Sequence, residues 1–249
     1  MKSQIPVRLQ KEPLLEAVWE IRFAAERDVP TGDVLPGVLY QAVHETYPVS
    51  LRLPAADIPR LIAQQDESLR YLPTMRLESP NAPFAVQIGP RVVTVNCRRP
   101  YAGWAAFSAR VRVILNLLKT SGLVARAERF SLRYIDLLEL DPQPSLASLD
   151  VSLRLGGYDL SRQPVQVRTE IADGPFTQVL QVATPVDVTD AQGQRLQGTL
   201  VDIDTVHLLG EASWELIDER LDAAHDASKR LFFGLLTPDA VGRLGPVYE

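Results

Sequence analysis

Residues 15 to 23 set Leu15, Ala17, Trp19, Ile21 and Phe23 against Glu16, Val18, Glu20 and Arg22. That two-residue period is the signature of a strand with one face buried and the other in water. The chain therefore opens with a strand that needs an apolar layer on one side. Strands further along supply the rest of a sheet. The sequence predicts strands at residues 69–77, 84–88 and 92–97, and Gly89-Pro90 makes the last two a tight hairpin.

Two long helices are predicted to cover the sheet. Over residues 104–120, Trp104, Phe107, Val111, Ile114, Leu115 and Leu118 form one apolar stripe, with Gly122 placed for a left-handed cap. Ala109, Val113 and Leu117 lie off that stripe, so this helix is expected to be covered on more than one side. A shorter helix is predicted from Leu35, Leu39, Ala42, Val43 and Thr46, with Asp33 near its amino end and Pro48 as its limit. Residues 51–66 contain Pro54 and Pro59 and are expected to be irregular with one short helical piece.

The second half repeats this order. Residues 130–140 read as a strand, and 165–171, 176–188 and 195–208 as a meander with turns at Asp173-Gly174 and 190–193. In the closing helix Trp214, Ile217, Leu221, Ala224, Ser228, Phe232 and Leu235 share a face. Glu211 and Glu215 lie toward its positive end, Lys229 and Arg230 toward its negative end. Thr237-Pro238 caps a short final turn. Hairpin-linked strands pair antiparallel, and two long apolar helices need a sheet face. The expected fold is α+β: two similar halves, residues 1–127 and 128–249, each an antiparallel meander followed by a long helix packed on the sheet. The shared order points to a structural duplication, although no residue-by-residue repeat survives.

Charge is distributed unevenly. The net charge is -5, yet residues 79–127 carry Arg91, Arg98, Arg99, Arg110, Arg112, Lys119 and Arg126 with no Asp or Glu. Such segregation leaves a positive surface on an acidic protein, one that attracts an anionic ligand or an acidic partner. Within it, Arg98, Arg99, Arg112 and Lys119 are the candidate ligand-binding cations. Tyr101, Trp104 and Phe107 add a stacking surface that suits nucleotides or single-stranded nucleic acid, against the plainer reading of core aromatics and solvated arginines.

Other candidates have plain structural alternatives. His225 falls on the apolar face of the last helix, where it is either a core histidine bonded to a backbone carbonyl or a proton-transfer group facing a pocket. Asp202 and Asp204 share a strand face and can hold a divalent cation, while His207 points the other way. Solvated carboxylates are the ordinary explanation. Glu16 and Glu20, on one strand face with Arg22, can likewise hold a cation or form cross-strand salt pairs, the latter being the plainer reading. The chain has no glycine-rich phosphate cradle, serine nucleophile elbow, zinc-ligand pair or thiol redox motif, and no motif calls for a cofactor. The lone Cys97 excludes an internal disulfide, and the start MKSQIPVRLQ has no apolar signal stretch. A cytoplasmic setting without membrane insertion is expected.

Four segments add a resemblance: Pro13-Leu14-Leu15-Glu16-Ala17-Val18-Trp19-Glu20-Ile21-Arg22-Phe23, Gln87-Ile88-Gly89-Pro90-Arg91, Leu132-Arg133-Tyr134-Ile135-Asp136, and His225-Asp226 followed by Phe232, Leu236 and Thr237. In this order they resemble a sporadically distributed bacterial protein family with no assigned function, over nearly the full chain. The resemblance implies a shared fold and a full-length domain, and it supplies no catalytic residue, substrate or cofactor. In that family the position of Asp136 is often Asn, so this chain departs from the commoner pattern there. The expected function is non-enzymatic recognition of an acidic partner or anionic ligand through a basic surface. The alternative is a metal-dependent phosphate-ester hydrolase using Asp202 and Asp204 with Arg98 or Arg99.

Overall fold

The structure, a computed structural model, describes residues 5–26, 29–66, 69–190, 193–210 and 214–248. In chain order the elements are β1 (Arg8–Leu9), β2 (Leu14–Ala25), α1 (Thr31–Val43), β3 (Val49–Arg52), a 3-10 turn (Pro54–Asp57), α2 (Arg60–Gln65), β4 (Met75–Glu78), β5 (Phe84–Ile88), β6 (Val92–Arg98), α3 (Trp104–Thr120), β7 (Val124–Leu138), a second 3-10 turn (Leu146–Ser148), β8 (Arg154–Leu155), β9 (Tyr158–Asp159), β10 (Val165–Asp173), β11 (Phe176–Thr189), β12 (Arg195–Leu208), α4 (Trp214–Leu235), α5 (Pro238–Arg243) and β13 (Pro246–Val247). Nine strands form a sheet in the order β10-β11-β12-β7-β2-β6-β5-β4-β3, and β1-β13 and β8-β9 make two small ribbons. The protein is α+β with a large antiparallel sheet, as the hairpin spacing predicts.

Contacts divide the chain into two discontinuous compact units. One comprises Met1–Leu15, Arg133–Thr205 and Ala224–Glu249; the other comprises Glu16–Leu132 and Val206–Ala223. The expected boundary at residue 127 falls inside β7, which runs unbroken from Val124 to Leu138.

In the unit built on Glu16–Leu132, β2 pairs antiparallel with β6, setting Ala17 opposite Cys97, Trp19 opposite Val95 and Ile21 opposite Val93. The β5–β6 register continues the same face through Phe84, Val86 and Ile88. These side chains are buried, as are Leu35 and Leu39 of α1 and Phe107, Val111, Ile114 and Leu118 of α3. The opposite face is polar and internally bonded. Thr94 Oγ1 donates to Asn96 Oδ1 at 2.6 Å, and Asn96 Nδ2 donates to Glu16 Oε1 at 2.9 Å. Glu20 holds both Arg22 (2.7 Å) and Arg129 (3.0 Å), so these β2 carboxylates act as structural partners. One dry face and one bonded polar face account for the clean alternation along β2.

In the other unit, β10 and β11 form a hairpin closed between Asp173 and Phe176. Leu180, Val182, Val201 and Ile203 of the strands pack with Phe232 of α4, Leu236 just past its end, Ala240 of α5 and Leu244. Thr237 Oγ1 accepts from the Ala240 amide and caps α5 as expected.

Several elements differ from expectation. The strand predicted over 69–77 shrinks to β4, because the amides of Leu69 and Leu72 close turns on Asp66 and Leu69 and Pro73 has no N–H to offer. Strand β3 forms where irregular chain was expected; all four of its residues are exposed, so no alternation marks it. Helix α1 starts at Thr31, and Asp33 sits inside its first turn instead of capping it. Of the off-stripe apolar residues of α3, Ala109 and Val113 are exposed, Val113 by 52%, and Leu117 is half-buried. Glu211 and residues 191–192 of the predicted second-half turn lie outside the described residues.

Candidate functional site

A cavity of about 720 Å³ opens in the unit built on Glu16–Leu132, between the start of α1, the β5–β6 turn and the chain that runs from Arg52 to Met75. Its volume falls in the range that takes small organic ligands. Two close backbone approaches fix its walls. A Cβ on Gly32 would lie 3.1 Å from the Pro90 ring, and one on Gly89 would lie 2.5 Å from the Leu72 carbonyl oxygen. Glycine at both places lets α1, the hairpin turn and the Leu72-Pro73 segment meet. The helix start is anchored by Thr31, whose Oγ1 donates to the Leu123 carbonyl at 3.3 Å. Pro30 stands at the N-cap, Asp33 brings a carboxylate into the first turn, and the amides of Thr31, Asp33 and Val34 bond to the Val29 and Pro30 carbonyls.

The lining is aliphatic with charged exceptions. Ala25, Val29, Pro36, Ile58, Leu72 and Met75 contribute apolar surface, and the described lining residues include no aromatic side chain. Arg52, Arg70 and Arg91 supply three cations against one carboxylate, Asp33. Arg52 is committed, donating to the Ala56 carbonyl at 3.0 Å and to Asp57 at 2.7 Å. Arg91 is different. Its carbonyl accepts from the Phe23 amide at 3.1 Å, which pins the residue, yet among the described residues none pairs with its guanidinium. The result is a half-buried cation in an aliphatic cavity beside a helix amino terminus.

The cations singled out in the sequence differ in their surroundings. Arg98 and Arg99 are exposed at and just past the end of β6. Arg110 lies over the Phe84 ring, 5.6 Å from its centroid. Arg112 Nε donates to Asp218 at 2.7 Å and Nη2 to Asp222 at 2.9 Å, while Lys119 pairs with Glu215. The hydrogen bond from Arg112 to Asp218 is the leading reason its pKa is raised further. Trp104 Nε1 also donates to Asp222, at 2.9 Å. Carboxylates about a hundred residues away thus answer the cations of α3. Periodicity shows the acidic stripe Glu215, Asp218 and Asp222 on its own helix, but not which element it faces.

The remaining candidates lie in the other unit. His225 Nδ1 and Tyr134 Oη share a hydrogen bond of 2.8 Å, with ring centroids 5.8 Å apart. The ring is half-buried, and the partner shown is a tyrosine hydroxyl in place of the backbone carbonyl expected of a core histidine. Asp202 is buried and accepts from Arg133 Nε at 2.7 Å and from Arg133 Nη2. A divalent ion there would have to displace a guanidinium, and among the described residues no group of three or more His, Cys, Asp or Glu is placed to hold a metal. Asp136 is 6% exposed. Burial first, then the charges of Glu12 and Asp202, push its carboxyl well above the ordinary range.

Sequence reasoning missed Arg52 and Arg70 as lining groups and placed Arg91 only in a basic run. The signal present was the Gly89-Pro90-Arg91 turn, which projects a cation from a rigid hairpin end. No protein-family model matches this chain, and a search of curated proteins finds no significant match.

Proposed function

We propose that this protein is a non-enzymatic recognition protein whose cavity binds an anion with an aliphatic body. The observation that carries this reading is Arg91, a cation without a described partner, held at the rim of a cavity of about 720 Å³ with an aliphatic lining. A carboxylate or phosphate at Arg91 would gain a charge-assisted hydrogen bond in a partly desolvated place. The apolar walls favour an alkyl or alicyclic body over a nucleobase, since no described lining residue offers a ring to stack on. This narrows the expectation of an anionic ligand to one part of the basic segment. Arg112 and Lys119 serve as struts to α4, whereas Arg98 and Arg99 stay exposed.

The same reading takes the protein as cytoplasmic, and takes the repeated order of strand, meander and long helix as support for an internal duplication. Among the described residues no helix is long and apolar enough to cross a membrane.

Titration calorimetry with decanoate tests the site. Binding is expected, and Arg91→Glu should weaken it about tenfold or more, the scale of a charged hydrogen bond replaced by a like charge. Decanol should bind far less well than decanoate. Decanoate affinity that is unchanged in Arg91→Glu, or no binding at all, contradicts the proposal.

A further inference from the structure

Strand β10 ends the sheet order and, among the described residues, pairs only with β11. Its hairpin closes through a two-residue loop with Asp173 opposite Phe176, and such a loop closes on a pair that exchanges both backbone hydrogen bonds. Counting back from Asp173, the odd-numbered residues turn their N–H and C=O toward β11. Gln166, Arg168, Glu170 and Ala172 therefore point theirs outward, along an edge that is exposed at all four positions. A row of unpaired donors and acceptors nine residues long is a template for another strand.

We propose that the occupant is β10 of a second copy, paired antiparallel about a two-fold axis at Thr169. The side chains select that register. Outward residues must face outward residues, which leaves registers two residues apart. With Thr169 on the axis, Arg168 faces Glu170 of the second copy and Glu170 faces its Arg168. Gln166 faces Ala172, and Val167 faces Ile171. Each of the four outward residues then donates and accepts one backbone hydrogen bond. Ile171, 40% exposed in the single chain, gains an apolar cross-strand neighbour. Shifting the axis to Arg168 sets two arginines opposite each other, and shifting it to Glu170 sets two glutamates together. The isologous pairing is thus self-complementary in one register and repulsive in its two neighbours. In the isolated chain Arg168 and Glu170 pair with each other at 2.9 Å, both more than half exposed, so both side chains are free to exchange partners across the axis.

Sedimentation velocity on the full chain tests the pairing. A concentration-dependent dimer is expected. Arg168→Glu and Glu170→Arg should each weaken it about tenfold or more, because each places like charges opposite twice, and the double variant should restore it. Glu170→Pro removes an outward N–H without touching the β10–β11 ladder and should leave a folded monomer by circular dichroism. Thr169→Cys should give a disulfide-linked dimer under mild oxidation, and Gln166→Cys should not. A chain that stays monomeric at all concentrations, as it would if this edge served a strand from a different protein, overturns the proposal. So does a dimer insensitive to the single charge reversals, or one that cross-links equally through Gln166→Cys.

Discussion

Alanine at Gly89 and alanine at Gly37 should move the melting temperature in opposite directions. At Gly89 the new Cβ meets the Leu72 carbonyl oxygen at 2.5 Å, Val92 Cγ1 at 2.9 Å and the Pro73 Cα at 3.0 Å. Two of those three atoms belong to backbone, and a carbon normally keeps about 3.3 Å or more from a carbonyl oxygen. The hairpin turn and the Leu72-Pro73 segment must therefore separate by roughly 0.8 Å. Overpacking of this kind costs about 1–3 kcal/mol. A chain of this length loses roughly 2–4 °C per kcal/mol, so Gly89→Ala should lower the melting temperature by about 2–12 °C. Because both separated segments line the cavity, decanoate affinity should fall as well. Gly37 lies exposed in α1, and a methyl group added there would meet nothing within 4 Å, so alanine gains about 1 kcal/mol of helix propensity. Gly37→Ala should raise the melting temperature by roughly 2–4 °C. Thermal melts followed by circular dichroism decide the matter. A Gly89→Ala protein melting within about a degree of wild type would refute the packing argument.

Three further substitutions probe other parts of the account. Asp136 has a raised pKa in the folded protein, so the stability tied to its protonated form is complete below the unfolded value of about 3.9 and is lost as pH rises through the folded value. Asp136→Asn should therefore exceed wild type in urea midpoint by a margin that widens from about pH 4 toward about pH 8; a margin that shrinks over that range contradicts the assignment. Arg112→Ala removes two pairs to half-exposed carboxylates and should cost only about 1 kcal/mol or less, with most of the loss screened by salt. Arg133→Met leaves the Asp202 carboxylate buried without its bidentate partner and should cost about 1–3 kcal/mol in urea unfolding, much of it regained in Arg133→Met with Asp202→Asn.

Local pattern carried the fold where one face of an element is dry. The alternation from Leu15 to Phe23 survives as β2, with Ala17, Trp19, Ile21 and Phe23 all fully buried. The stripe of α3 survives through Phe107, Val111, Ile114 and Leu118. Gly122, at φ 69°, ends that helix as its position suggests. Strand β3 left no signal because an edge strand exposed on both faces needs no alternation. Val113 misled for the opposite reason: an exposed valine on a helix is ordinary and does not by itself call for a covering layer over it. The candidate site was less legible. Uneven charge along the chain implied an open positive face, but Arg112 and Lys119 meet acids on α4 that are 96 to 110 residues away. Spacing within one segment cannot reveal a partner on another. Arg91 stands out only once the chain around Gly32, Gly89 and Leu72 closes a cavity beside it.

Chemical-shift mapping by heteronuclear NMR, with decanoate titrated into the full chain, tests anion recognition in the cavity most directly. Saturable shifts concentrated on the amides of Gly32, Asp33 and Arg91, and lost in Arg91→Glu, are the predicted result. Shifts centred instead on Arg98, Arg99, Arg112 and Lys119, or none that saturate, would contradict it.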